Sequence, residues 1–269
     1  MSGIDFVKAH ACGNDFLVIE EAAAAGRHGA LARKLCGRNT GVGADGIEFL
    51  DRRTDGSFFL RLFNADGSEA ELSGNGTRCV AAWLAANEAR EEVALGTHGG
   101  IRKCRVVRRE GPEWWIESGM GVPRVMPRKI EIFGVSGVID GAMVNVGNPH
   151  YVIFVESEDF SAYGMTWQEL GAKISLDKLF PHGTNVEFVR VLGDAEIAFR
   201  IFERGCGPTT SSGTGTCASS AAAMSLRGVG RTVTALAQGG AQTVVWANAQ
   251  SEMMLTGPAE IVCRGVAEF

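Results

Sequence analysis

Several absences narrow this sequence before any motif is read. No stretch approaches the roughly 18 consecutive apolar residues that a membrane helix requires, so no membrane association is expected. No basic cluster interrupts a chain of formal net charge −5, which argues against a nucleic-acid partner. No CxxC pair occurs among the seven cysteines, Cys12, Cys36, Cys79, Cys104, Cys206, Cys217 and Cys263. An odd number without paired spacing fits reduced thiols better than a disulfide frame or a zinc site. The opening segment Met1–Asp15 lacks the basic start and unbroken apolar run of a signal peptide, and a cytoplasmic location is expected. No Walker sequence and no Schiff-base lysine stand out, so no metal, nucleotide or pyridoxal cofactor is expected.

What is present is repetition. The chain has 269 residues, a length that suggests two domains. One shift of the sequence against itself lays Phe63–Thr77 (FNADGSEAELSGNGT) on Phe202–Thr216 (FERGCGPTTSSGTGT). The same shift lays Gly46–Leu50 on Asn185–Val189, and a slightly smaller one lays Gly13–Ile19 on Gly147–Ile153. Three blocks recurring in one order at nearly one spacing point to internal duplication.

The expected elements repeat as well. Each half opens with a strand pair around Gly-Asn, Asp5–His10 with Phe16–Glu20 and Ala142–Val146 with Tyr151–Glu156. A short helix follows near Ala30–Cys36 and Trp167–Ile174, where Trp167, Leu170 and Ile174 mark one buried face. Two strands come next, Gly46–Asp51 with Phe58–Phe63 and Asn185–Val191 with Glu196–Phe202. A glycine-rich turn then leads into a helix, Asn75–Asn87 or Thr214–Ser225, before closing strands at Ile101–Arg108 with Trp114–Glu117 and Val233–Ala237 with Thr243–Ala247. Pro123 and Pro127 read as flanking a crossing between lobes. The last strand, Glu260–Phe269, reads as returning to the first half. The fold class is α+β: two pseudo-symmetric lobes, each a rolled, mostly antiparallel sheet around a central helix. The expected domains are residues 1–120 with 258–269, and residues 121–257.

A helix start carries unpaired N–H groups and the positive end of the dipole, and glycines there let a ligand approach the backbone. One Gly-x-Gly is more often a plain turn. Two copies in matched register are expected to grip one carboxylate between the lobes. Ser73 and Ser212 immediately precede the two turns; serine is also a good N-cap, and both readings stay open for each. Asn14, Asn64, Asn148 and Asn185 stand at the matched blocks, although asparagine also serves turns. Glu203-Arg204 ends a strand that otherwise reads as buried, and a zwitterionic ligand offers partners for both charges.

At these residues the chain resembles the diaminopimelate epimerase family. The matching pieces are GNDF at Gly13–Phe16, GVGADG at Gly41–Gly46, NADGSEAE at Asn64–Glu71, GNGTRC at Gly74–Cys79, GNPH at Gly147–His150, TNVEFV at Thr184–Val189, ERG at Glu203–Gly205 and GTG at Gly213–Gly215. The resemblance implies cofactor-independent inversion at an amino acid's α-carbon, a small-molecule amino-acid substrate and a place in lysine biosynthesis. It also allows a homodimer. The family's substrate contacts fall on Asn14, Asn64, Asn148, Asn185, Glu203 and Arg204, with the backbone at Gly74-Asn75 and Gly213-Thr214 holding the reacting carboxylate.

The two catalytic positions depart from the family, which has cysteine where this chain has Ser73 and Ser212. Pro208 and Ser211 depart as well, from Glu and Ala. A thiol has a pKa near 8.5 that a helix start can lower, whereas an alcohol is a far weaker acid. Three readings stay open: serines substituted into an otherwise normal epimerase; a natural branch that performs a related reaction, such as dehydration or isomerisation, with another base (His150, Asp45 or Glu203); or a protein that binds its amino acid without turning it over.

Overall fold

In the computed structural model, which describes residues 3–269, the first Gly-Asn signal is the turn of a hairpin between β1 (Gly3–Ala11) and β2 (Asn14–Glu20). Cys12 and Gly13 both take positive φ there, 52° and 80°, the primed turn that suits the twist of two-residue hairpins. The described chain divides into two compact units. One runs to Gly119 and takes back Thr256–Phe269; the other is Met120–Leu255.

In the first unit β2 leads through α1 (Glu21–Ala24) and α2 (His28–Leu35) to β3 (Gly46–Arg52), which lies parallel to β2. β4 (Phe58–Asn64) returns antiparallel to β3, and the two-residue β5 (Glu69–Ala70) pairs on β4. Then α3 (Gly74–Glu88) carries the chain to β6 (Glu92–Thr97), parallel to β4, and β7 (Gly100–Glu110) and β8 (Glu113–Gly119) finish antiparallel. Side chains on β3 alternate between two cores. Ile47 and Phe49 pack with Leu31 and Leu35 of α2, whereas Leu50 packs with Val80 and Leu84 of α3. Period two therefore puts Glu48 on the α3 side with Leu50.

The second unit repeats this plan after one extra strand. β9 (Arg124–Ile130) and β10 (Ile139–Asn145) are antiparallel, and β10 forms a hairpin with β11 (Pro149–Phe154). α4 (Trp167–Ser175) leads to β12 (Asn185–Gly193), parallel to β11, and β13 (Glu196–Glu203) returns antiparallel. The short β14 (Gly207–Thr209) precedes α5 (Gly213–Leu226), which leads to β15 (Thr232–Ala237), parallel to β13, and β16 (Gly240–Val245). α4 begins with a full capping box: the Thr166 hydroxyl accepts from the Glu169 amide, and the Glu169 carboxylate accepts from the Thr166 amide. α5 is buried on nearly every side, which its alanine- and serine-rich sequence allows. Phe188 and Val186 of β12 face the α4 core while Val189 faces α5, so Glu187 lies on the α5 side as Glu48 lies on the α3 side.

The last strand, β17 (Met254–Glu268), pairs antiparallel with β1 from Gly3↔Glu268 to His10↔Glu260, with a bulge between Lys8 and Ala9. It pairs also with β8. The first unit's sheet is thus a ring, β17-β1-β2-β3-β4-β6-β7-β8, with α3 packed against β1, β2, β6, β7 and β8.

The sheets are mostly antiparallel, as expected, and each helical connection adds a parallel pair between its flanking strands. Two details differ from the sequence reading. The segment read as a crossing flanked by Pro123 and Pro127 is β9, with Pro127 opposite Ala142. A strand accepts proline where the ladder does not need the missing N–H, so here it is not punctuation. β6 was not expected, because its Gly-containing, acidic sequence carries little strand signal. Among the described residues no helix is long and apolar enough to cross a membrane.

The fit of α5 gives a stability prediction. Ala218, Ala221 and Ala222 are completely buried against Val189, Phe199 and Val233. Ala222→Leu should cost roughly 1–3 kcal/mol by overpacking, read as a lower urea midpoint. An unchanged midpoint would show room that the packing does not suggest.

Candidate active site

Each unit begins its central helix with a serine that caps it. Ser73 is extended (φ −124°, ψ 124°), and its Oγ accepts from the Gly76 amide at 3.0 Å. Ser212 is likewise extended (φ −145°, ψ 128°), and its Oγ accepts from the Gly215 amide at 3.3 Å. Both serines are therefore N-caps. Capping satisfies the third amide of each helix, while the amides of Gly74 and Asn75, and of Gly213 and Thr214, lie ahead of it at the positive end of the dipole.

Around Ser73 a chain of side chains fixes the polar groups. Asn75, 2 % exposed, donates through Nδ2 to Asn14 Oδ1 at 3.0 Å, and Asn14 Nδ2 donates to Asp45 Oδ2 at 2.7 Å. Arg38 bridges Asp45 and Asp15, at 2.7 and 2.8 Å, and Lys8 reaches Asp15 at 3.1 Å. Burial alone would push the Asp15 carboxyl up, but its bonds to Arg38 and Lys8 hold it below the ordinary range. Behind Asn75, the buried Arg78 donates through Nη2 to Asn75 Oδ1. Asn14, Asn75 and Asp45 thus converge. Asn64 pairs across the sheet with Gly46, next to Asp45, and its amide donates to Ser68 Oγ at 3.0 Å.

Around Ser212 the arrangement is different. Asn148 Nδ2 donates to Thr214 Oγ1 at 3.4 Å, and Thr214 Oγ1 lies 3.5 Å from Ser212 Oγ. His150 Nε2 meets Asn148 Oδ1 at 2.9 Å, and His150 Nδ1 meets Glu187 Oε1 at 2.5 Å. Asn185, 4 % exposed, accepts through Oδ1 from the Arg204 amide at 2.8 Å, so it shapes the backbone that presents Glu203 and Arg204. The Arg204 side chain is exposed and donates to the His182 carbonyl. Glu203 is half-buried and accepts from the Thr209 hydroxyl. Pro208 lies opposite Phe202 in the β13–β14 hairpin. Each alternative base considered from the sequence is engaged: His150 through both ring nitrogens, Asp45 by Arg38 and Asn14, and Glu203 by Thr209.

Two carboxyls that the sequence reading did not single out lie beneath the helix starts. A Cβ built on Gly76 would fall 1.9 Å from Glu48 Oε1, so only glycine leaves room for that carboxyl under α3. In the second unit a Cβ on Gly215 would meet Ile201 at 2.5 Å and Glu187 Oε1 at 3.2 Å. Burial pushes Glu48 from its ordinary 4.5 up to about 8. Burial also raises Glu187, against the opposing pull of His150. The signal was present: a charged residue stands at the third place of both GIEFL and NVEFV, within otherwise apolar strands.

The architecture occurs in solved structures. A PhzF-family phenazine biosynthesis protein from Bacillus anthracis superposes with TM-score 0.75 at 16% identity, covering 100% of both chains. A hydroxyproline epimerase from Agrobacterium vitis, solved with trans-4-hydroxy-L-proline, gives 0.70 at 16% identity, covering 99% of this chain and 91% of its own. The fold class is therefore that of the two-domain diaminopimelate epimerase and PhzF-like proteins, with mixed barrel sheets and few helices. The sequence profile described as "Diaminopimelate epimerase" matches residues 6–126 and again 142–262. Diaminopimelate epimerases from Methanothrix thermoacetophila and Moorella thermoacetica are 37% and 35% identical, covering 99% and 97% of this chain and 96% and 98% of theirs. The chain belongs to the diaminopimelate epimerase family.

Glu48 gives a pH prediction. Its folded pKa lies above its unfolded one, so between about 4.5 and 8 the native protein holds a proton that the unfolded chain has released. The stability this contributes is complete below 4.5 and is lost as pH rises through 8. Urea unfolding from about pH 5 to about pH 9 should show the parent losing stability relative to Glu48→Gln as pH rises. Parallel curves would mean that Glu48 does not change ionisation on folding. Gly76→Ala, in turn, should destabilise by about 1–3 kcal/mol through the clash with Glu48, and the double variant with Glu48→Ala should recover part of the loss.

Proposed function

We propose that this chain is a cofactor-independent enzyme acting at the α-carbon of an amino acid, with diaminopimelate as the substrate, and that it works in the cytoplasm. The observation that carries the proposal is the full-length family match, joined to helix starts flanked by the expected asparagines, Asn14 beside Asn75 and Asn148 beside Thr214. In this reading the amides of Gly74-Asn75 and Gly213-Thr214 bind the reacting carboxylate, because amides at a helix start stabilise an anion. Asn14, Asn64, Asn148 and Asn185 orient the substrate, with Asn185 acting through the Arg204 backbone that it holds. Glu203 and Arg204 supply charges of both signs for the far zwitterion. Ser73 and Ser212 stand at the positions of proton transfer.

A second reading is favoured by the caps themselves. Each serine Oγ already accepts an amide hydrogen bond, and the neighbouring carboxylates and imidazole are engaged. A protein so built binds its amino acid and leaves the α-proton in place. A dehydratase would instead release an enamine or oxo-acid from a hydroxylated amino acid.

One experiment separates these readings. Proton NMR in deuterated water should show loss of the α-proton signal of diaminopimelate in the presence of the protein if proton transfer occurs. Thermal stabilisation by diaminopimelate without exchange supports the binding reading. The Ser73→Cys, Ser212→Cys double variant should exchange at least about 100-fold faster than the parent, the low end of what a positioned acid–base group contributes. A double variant that binds diaminopimelate and never exchanges its proton would overturn the enzymatic reading.

A further inference from the structure

The two halves hold equivalent asparagines in opposite senses. Asn14 turns Oδ1 toward its helix start, accepting from Asn75, and donates Nδ2 away to Asp45. Asn148 turns Nδ2 toward its helix start, donating to Thr214 Oγ1, and presents Oδ1 to His150 Nε2. Two residues after each asparagine the halves differ again: Phe16 in the first unit, His150 in the second. The strand carboxyls differ accordingly. Glu48 Oε1 has no hydrogen-bond partner, while Glu187 Oε1 is bonded to His150 Nδ1, and both members of that pair have fully buried side chains.

A carboxamide offers an acceptor at one end and donors at the other, so its sense follows the hydrogen on its neighbour. If Nε2 of His150 bears a hydrogen, Asn148 must present Oδ1 to it and Nδ2 to Thr214. A bare Nε2 would reverse both. The buried pair determines which case holds. A carboxylate beside a neutral imidazole would leave a net charge in a site without solvent, which is costly. The pair therefore keeps a proton between Glu187 and Nδ1, and the Nε2 hydrogen remains.

We propose that Glu187 and His150 are positioning residues that act as a unit, fixing the tautomer of His150 and thereby the sense in which Asn148 presents its amide to the start of α5. Their counterparts in the first unit, Glu48 and Phe16, leave Asn14 to be oriented by Asp45 and Asn75. The two helix starts consequently offer a ligand different hydrogen-bonding patterns. That consequence for ligand binding rests on the functional reading above; the tautomer itself does not.

The tests are ¹⁵N NMR of the histidines and titration with meso-diaminopimelate at neutral pH. With five histidines in the chain, His150 is identified by its loss in His150→Phe. The parent and Glu187→Gln should both carry hydrogen on Nε2, because the glutamine amide donates to Nδ1 and enforces the same tautomer. Both should bind diaminopimelate within about threefold of each other, whereas His150→Phe and Glu187→Leu should each bind about tenfold or more weakly, the scale of one misdirected hydrogen bond. The double variant His150→Phe, Glu187→Leu should be no worse than His150→Phe alone, as expected of residues acting as a unit. A bare Nε2 in the parent overturns the proposal, as does a Glu187→Gln variant as impaired as Glu187→Leu. If the parent binds no diaminopimelate, the functional reading falls, and the NMR result alone decides the role of the pair.

Discussion

A carboxyl buried under a helix start is the constraint around which each unit is arranged. Glu48 extends from β3 to the first turn of α3 and occupies the space that any side chain at position 76 would need. This couples three sequence decisions: a glutamate in a strand otherwise buried and apolar, a glycine at the third helical position, and a cap supplied by Ser73 instead of by the nearby carboxyl. The helix end, being positive, would favour an ionised carboxyl. Burial acts the other way and carries Glu48 up to about 8. Water exclusion beneath the turn thus raises the acid that lies behind the leading amides of α3.

Duplication supplied the same slot twice, and the halves then used it differently. In the second unit His150 reaches the carboxyl, and the proton is shared within a buried pair. In the first unit Phe16 fills that place, and ordering of the polar surface falls to a charged network instead: Arg38 between Asp15 and Asp45, with Lys8 beside them. The ion pairs there are partly exposed, so their value lies more in aiming Asn14 than in stability, exposed pairs being worth about 1 kcal/mol or less. A reaction that treats the two faces of a carbon differently has a use for such inequality.

The duplicated plan was legible in the sequence because it rests on local signals. Gly-Asn turns, period-two strands such as Phe58–Leu62, and glycine-led helices each leave a mark that a second copy reinforces. β9 was not legible, because Pro127 reads as a break when only its tertiary position shows that the ladder tolerates it. The asparagines and serines were visible as residue types, but their hydrogen-bond senses were not. Asn148 and Asn14 have the same letter in the same block and point opposite ends at their helices, and that difference comes from residues 16, 45 and 150 and from partners across the sheet. Glu48 and Glu187 were visible as charges in apolar strands. What they do there depends on depth, which sequence spacing does not give.

The serine positions can be understood from the same geometry. An N-cap needs an acceptor, and a hydroxyl oxygen meets this need well, holding the Gly76 and Gly215 amides at 3.0 and 3.3 Å. A thiolate at either position would accept from the same amides and be stabilised by them, which is how a helix start lowers a cysteine pKa. Serine thus keeps the structural half of that arrangement, a capped helix with its leading amides presented, while its proton remains too tightly bound to be given up unaided. Capping and proton donation, which a cysteine at either position would combine, are separable when serine stands there. The leading amides of each helix are backbone groups, indifferent to the exchange of sulfur for oxygen. Any proton transfer would have to recruit a group from the surrounding network, and in the structure every such group has first to leave a hydrogen bond that now orders the site.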